Sequence, residues 1–320
     1  MKRWRALRFD FKAMASPCSI QMEGQDERTM RHAAAQAIKE VQRIEHKFSR
    51  YRDDSIVSRI NQSAASGAVE VDAETADLLE FAHSLWRMSD GLFDITSGVL
   101  RRAWDFRAAC LPAPQVLQSV LARVGWGKVE RRGSTVRLSL PGMELDFGGF
   151  GKEYAADRAA AVLHSHGLAH ALVNLGGDLH ALGPRGLPEL HDTAWQIDIQ
   201  HPRPETEGTR SSLAVLALQH GGLATSGDYE RFFIQDGQRY CHVLNPHSGW
   251  PVTHWQSVSV LAANTTTAGA LTTIAMLKGP DALAWLDAQG VRYLAVQNDG
   301  ESVGHIHRSS SPSQAGSTPP

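Results

Sequence analysis

The sequence predicts an α+β fold, with helices wrapped on a largely antiparallel sheet. Long apolar repeats of helical period occupy the first half of the chain, and from His170 onward short strand-like runs succeed one another. With 320 residues the chain is long enough to bury a full core, and it shows no internal repeat. The expected organisation is one domain over residues 1–308 and a disordered tail over 309–320, because "RSSSPSQAGSTPP" is poor in apolar residues and rich in Ser and Pro.

Taken in order, Phe9 to Met22 reads as extended structure interrupted at Pro17. Glu27 to Phe48 places Met30, Ala34, Ala37, Ile38, Val41, Ile44 and Phe48 on one helical face. Asp72 is a good N-cap for a helix through Leu78, Leu79, Ala82, Leu85 and Trp86 that stops at the Asp90-Gly91 turn. Pro112 and Pro114 open a third helix reaching about Val124, followed by strand-like pieces at Lys128 to Glu130 and Val136 to Leu140. A glycine-rich stretch then leads into another helix. Strands are expected at Ala171 to Leu175, Trp195 to Ile199, Leu213 to Leu218, Phe232 to Gln235, Tyr240 to Leu244 and Ser257 to Leu261. Helices at about Thr267 to Leu277 and Pro280 to Ala288 precede a last strand, Tyr293 to Gln297.

Composition excludes several classes of function. The formal charge is −2 and there is no long basic run, which argues against nucleic acid and anionic membranes as partners. Cys18, Cys110 and Cys241 stand far apart, so neither a zinc knuckle nor a disulfide framework is indicated and a reducing compartment fits. Arg8, Asp10 and Lys12 break up the apolar character of the N-terminus, and no run is long enough to span a bilayer; the expected location is cytoplasmic.

The stretch "LDFGGFGKEYAADRAAAVLHSHG" invites a chemical reading. A helix opening after a glycine turn presents unpaired N–H groups and its positive dipole end, which suits a phosphate or carboxylate, and Lys152 adds a mobile charge. The glycines are not spaced G-x-G-x-x-G, and Glu153 stands where a P-loop needs Ser or Thr. An anion site and a bare strand-to-helix turn both satisfy the pattern. Elsewhere, Tyr51, Ser55, Ser58 and Asn61 form a polar cluster, and Phe93 and Asp94 follow a glycine turn. Phe93 could stack on a flat ring or simply serve as a core aromatic. His242 lies at a strand end beside a Gly/Pro loop. Cys241, its neighbour, points to the opposite face and cannot pair with it.

Together these pieces resemble the ApbE family of flavin transferases. The matching blocks run in the family's order: "MAS", "FSRYRDDSIVSRIN", "GLFDITSGVL", "LDFGGFGKEYAAD", "LVNLGGDL", "ATSGDYERFF", "HVLNPHSGWP" and a degraded last block, "TTAGALTTIAMLKG". The resemblance implies an ApbE-like fold with a barrel-like sheet. It also implies binding of FAD and Mg²⁺, cleavage of the pyrophosphate, transfer of FMN to a Ser or Thr hydroxyl of an acceptor flavoprotein, and release of AMP. On this resemblance Met14, Tyr51, Leu92, Phe93, Asp94 and Val243 line the FAD site and Asp146 and Lys152 flank the pyrophosphate. The Gly149 carbonyl and Thr273 hydroxyl face the metal, His242 acts as general base and Asn61 positions. An FAD pyrophosphatase giving FMN and AMP, and a non-catalytic FAD carrier or sensor, are the alternatives.

One departure stands out. The family's last block usually carries a metal-binding Asp four residues before the Thr, and here that position is Gly269. A hard dication needs anionic oxygen ligands. An acidic residue at 269, close to the start of a helix, is expected to be tolerated, and Gly269→Ala to stabilise the helix.

Overall fold

A computed structural model of the chain describes residues 3–203 and 211–306; the expected tail lies outside the described residues. The chain opens with a hairpin, β1 (Arg5–Ala13) and β2 (Ser16–Gly24). Its two turn residues, Met14 and Ala15, both have positive φ, 51° and 58°. The break in the extended segment is therefore here and not at Pro17, which lies inside β2 opposite Lys12. Helix α1 (Glu27–Phe48) follows, capped by Asp26, with Met30, Ala34, Ala37, Val41 and Ile44 buried. Then come the short α2 (Ile56–Gln62), β3 (Val69–Glu70) and α3 (Ala73–Met88), the last capped by Asp72 as predicted. A 3₁₀ segment, Ile95–Arg102, leads to α4 (Pro114–Leu121), β4 (Val129–Arg132), β5 (Thr135–Leu138) and α5 (Gly151–Ser165).

The second half supplies β6 (Ala171–Leu175), β7 (Asp178–Ala181), β8 (Trp195–Gln200), β9 (Ser212–Leu218), β10 (Gly221–Gly227), β11 (Phe232–Gln235) and β12 (Gln238–Cys241). It closes with β13 (Trp255–Ala262), α6 (Thr265–Lys278), α7 (Ala282–Ala288), β14 (Arg292–Gln297) and β15 (Ser302–Gly304). Eight strands form the main sheet in the order β1-β2-β6-β7-β10-β13-β14-β15. Every neighbouring pair in it is antiparallel. The sheet has two ends, β1 and β15, so it is open and not barrel-like.

Alternation along the strands builds a core on each face of the sheet. In β6, Ala171, Val173 and Leu175 face α1 and α5, whereas Leu172 faces the β8–β9 hairpin with Leu179, Leu223, Leu294 and Val296. Helices therefore cover one face and the hairpin the other. Alanines at 155, 156, 159 and 160 of α5 are buried, which lets this helix lie close to its neighbours α1 and α6. Among the described residues no helix is long and apolar enough to cross a membrane.

Candidate flavin-nucleotide site

The glycine turn before α5 is shaped from below by Phe93. A Cβ on Gly149 would stand 2.9 Å from the Phe93 ring, so only glycine fits. Phe93 itself is 4% exposed and stacks on Phe150 at 6.1 Å between ring centroids. It supports the turn from the core, the core-aromatic role that the sequence left open. Asp94, which the resemblance puts in the flavin lining, is engaged within the chain. It caps the 3₁₀ segment through the Thr96 N–H and hydroxyl, accepts the Trp126 N–H at 2.8 Å with its other oxygen, and is buried. Leu92, between this cap and the Gly91 turn, is half-buried.

Asn61 holds the segment that feeds the turn. Its amide oxygen accepts the Leu145 N–H at 2.7 Å and its amide nitrogen donates to the Leu145 carbonyl at 3.0 Å. One residue on, Asp146 pairs with Arg50 and accepts the Gly148 N–H at 2.9 Å. Arg50 also lies 4.8 Å from the Tyr51 ring and donates to its hydroxyl. Tyr51 is 76% exposed, a flat face at the rim of the site. The Gly149 carbonyl accepts no hydrogen bond among the described residues, which leaves one main-chain oxygen for an incoming group.

Lys152 in the first turn of α5 reaches the buried Asp178 at 3.0 Å. Burial works against its charge, but Asp178 and Glu153 outweigh that and raise its pKa, so it stays an ammonium. The Gly176-Gly177 turn brings the "MAS" block to the same place: a Cβ on Gly176 would lie 2.8 Å from Ser16 and 3.7 Å from Lys152 Nζ. Met14, at the tip of that hairpin, is half-buried and anchored by its N–H to Glu45 at 2.6 Å.

Next to Lys152, Glu153 turns towards α6. It is only 7% exposed, and its Oε2 is buried without a hydrogen-bond partner among the described residues. Burial first, and then the charge of Asp178, push its carboxyl above the ordinary range. A Cβ on Gly269 would lie 2.5 Å from Glu153 Cγ. Position 269 is therefore not free to take a side chain, contrary to the expectation from helix propensity. Thr273, one turn further along α6, is half-buried, with its hydroxyl 3.4 Å from Ser226. Asp157 locks the two helices together by accepting the Thr265 and Thr266 N–H groups, both at 2.8 Å, and pairing with His180 at 2.6 Å.

His242 follows the end of β12, where its main-chain N–H donates to the Arg231 carbonyl. Its Nδ1 is buried without a partner among the described residues. Burial and the Arg231 charge lower its pKa, so the ring is neutral at pH 7. Val243 beside it packs against the β13–α6 core and accepts the Val252 N–H. The loop that follows meets the "GLFD" block: a Cβ on Gly91 would approach His247 to 3.3 Å, and Trp104 donates to the Gly249 carbonyl at 2.8 Å. Eight sequence blocks thus converge on one region.

The ApbE family profile matches residues 14–295. The chain belongs to the ApbE family. A Treponema pallidum protein named FAD:protein FMN transferase is 34% identical over 264 residues, covering 78% of this chain and 72% of the relative. A Haemophilus influenzae protein of the same name is 31% identical, covering 84% and 78%. Among solved structures, the ApbE protein of Thermotoga maritima superposes with a TM-score of 0.84 at 29% identity, covering 94% of this chain and 97% of that one. The flavin transferase ApbE of Vibrio cholerae gives 0.81 at 25% identity, covering 96% and 98%.

In this ApbE-family chain, four residues that sequence reasoning did not assign to a site lie in the same region: Arg50, Glu153, Asp157 and Asp178. Arg50 and Asp157 sat unremarked inside quoted blocks, and Asp178 follows a Gly-Gly turn at the start of a strand. For Glu153 the available signal was a charged residue on the face of α5 that also carries Ala156 and Ala160, both buried.

Proposed function

We propose that the protein transfers FMN from FAD to a Ser or Thr hydroxyl of a partner protein and releases AMP. The relatives' shared name supports flavin transfer to protein. The single observation that favours chemistry over storage is the His242 imidazole: neutral, with a buried nitrogen that has no partner among the described residues.

In this reading Tyr51 offers a face to the isoalloxazine, and Lys152 with the start of α5 meets the pyrophosphate. Asp146, already paired with Arg50, holds the turn and does not touch phosphate directly. His242 takes the proton of the acceptor hydroxyl as its oxygen attacks the FMN phosphorus. The bond from that phosphorus to the bridging oxygen breaks, and AMP departs with the electron pair. Lys152 then stabilises charge on the leaving phosphate.

Oxygen donors at Gly149 and Thr273 suit a hard dication, and the Gly149 carbonyl takes no hydrogen bond among the described residues. With Mg²⁺ bound there, negative charge on the pyrophosphate oxygens would be partly neutralised. Among the described residues no group of three or more His, Cys, Asp or Glu side chains could hold a metal ion. A cation held there would need further oxygen ligands, which the phosphates of FAD would supply. We place the acceptor in the cytoplasm or facing it, as the wide spacing of the three cysteines suggests.

The test is incubation with FAD, Mg²⁺ and a candidate acceptor, followed by mass measurement of the acceptor and quantification of AMP. One FMN phosphoester per AMP is expected. Free FMN with AMP would make water the acceptor, and bound FAD without AMP would make the protein a carrier.

A further inference from the structure

We propose that the Glu153 carboxylate is the anionic ligand of the divalent cation at this site, in place of the carboxylate missing at position 269. This rests on the reading above that FAD and a cation bind together between α5 and α6.

Geometry carries the proposal. The side chain of Glu153 leaves α5 and enters the volume that a residue at 269 would occupy, with Oε1 2.6 Å from where a Cβ on Gly269 would be. Thr273 follows Gly269 by four residues on α6 and so lies on the same helix face, one turn along. Gly149, whose carbonyl is open, precedes Glu153 by four residues at the mouth of α5. One carboxyl, one hydroxyl and one carbonyl are thus drawn from adjacent turns of two helices that Asp157 clamps together. The loss of a carboxylate on α6 and the presence of one on α5 leave the number of anionic ligands unchanged.

An ordinary structural role fits less well. An acid three residues into a helix commonly caps it by accepting the N–H of the residue before the first turn. Here that N–H, on Phe150, donates to the Phe147 carbonyl at 3.1 Å. A carboxyl buried for packing alone would be hydrogen-bonded, since an unsatisfied buried oxygen is costly. Glu153 Oε2 has no partner among the described residues. The position therefore matches a ligand awaiting a cation better than a strut.

Mn²⁺ titration of the full-length protein with saturating FAD, followed by the loss of the free-ion electron paramagnetic resonance signal, reads the site without requiring turnover. Flavin fluorescence reports FAD binding separately. Glu153→Gln keeps the shape and should weaken Mn²⁺ binding at least tenfold, leaving metal-free FAD affinity and melting temperature near those of the parent. Glu153→Ala combined with Gly269→Asp should bring Mn²⁺ affinity back to within a few-fold. Unchanged Mn²⁺ affinity in Glu153→Gln, or FAD binding by the parent without Mn²⁺ binding, would overturn this inference alone. Failure of the parent to bind FAD would instead overturn the reading beneath it. If the exchanged pair does not fold, Glu153→Gln decides by itself.

Discussion

The side chain of Glu153 occupies the space beside Gly269, so two helices distant in sequence share one side-chain volume at their contact. Replacing a helical Gly by Ala ordinarily gains about 0.5–1 kcal/mol. Here the added methyl group collides with a buried side chain, and Gly269→Ala should instead cost about 1–3 kcal/mol. Urea denaturation of the variant checks the sign. In a Glu153→Ala background the same substitution should become neutral or stabilising.

His242 must be neutral to accept a proton, and burial together with Arg231 holds its pKa below the ordinary value. As pH falls the ring protonates and the rate drops, so the acid limb of kcat/KM should lie below about 6.5. Arg231→Ala removes one of the lowering charges and should move that limb upward. His242→Ala should lower transfer roughly a hundredfold or more while FAD affinity stays nearly intact. A limb that does not respond to Arg231 would remove His242 from the proton-transfer step.

Asn61 satisfies both main-chain groups of Leu145. Asn61→Ala should cost about 2 kcal/mol, because two partly buried polar groups lose their partner together. FAD affinity should fall as well, since the segment released runs straight into Asp146 and Gly149. Thermal melts with and without FAD separate the two effects. An unchanged ligand-induced shift would confine Asn61 to stability.

At the hairpin tip, Met14 and Ala15 both hold positive φ without being glycine. A left-handed conformation costs an ordinary residue about 1–2 kcal/mol. Ala15 is exposed, so Ala15→Gly removes strain without opening a cavity and should raise stability by about 1 kcal/mol. Chemical denaturation at equilibrium is the check.

In the proposed function Lys152 and the α5 N-terminus meet a pyrophosphate. FAD, which has one, should therefore bind more tightly than FMN, which ends in a single phosphate. Equal affinities in a fluorescence titration would contradict the assignment of these residues.

Most of the fold was legible because its signals are local. The apolar stripe of α1, the Asp72 cap and the alternation of β6 each depend on residues a few positions apart. Strands β7 and β10 escaped notice because Gly-Gly pairs and polar residues dilute their pattern, and β3 and β15 because they are only two and three residues long. The openness of the sheet is a matter of which strands lie at its ends, and no local pattern encodes that. In the site, the block order pointed to the right segments but not to each side chain's work. Asp94 and Phe93 look accessible in the sequence and are buried supports in three dimensions. The tie between Glu153 and Gly269 spans more than a hundred positions, beyond the reach of any periodicity.

The Asp157 clamp has a temporal side. Its partners Thr265 and Thr266 lie 108 and 109 residues later in the chain, and the ribosome delivers them long after α5 has emerged. Until then α5 lacks the helix that sets Gly269 beside Glu153, and a nascent or prematurely terminated chain has only one side of that contact. On the proposed function, flavin capture is then a late event in synthesis, coupled to docking of α6, and truncated products of this protein should not sequester FAD.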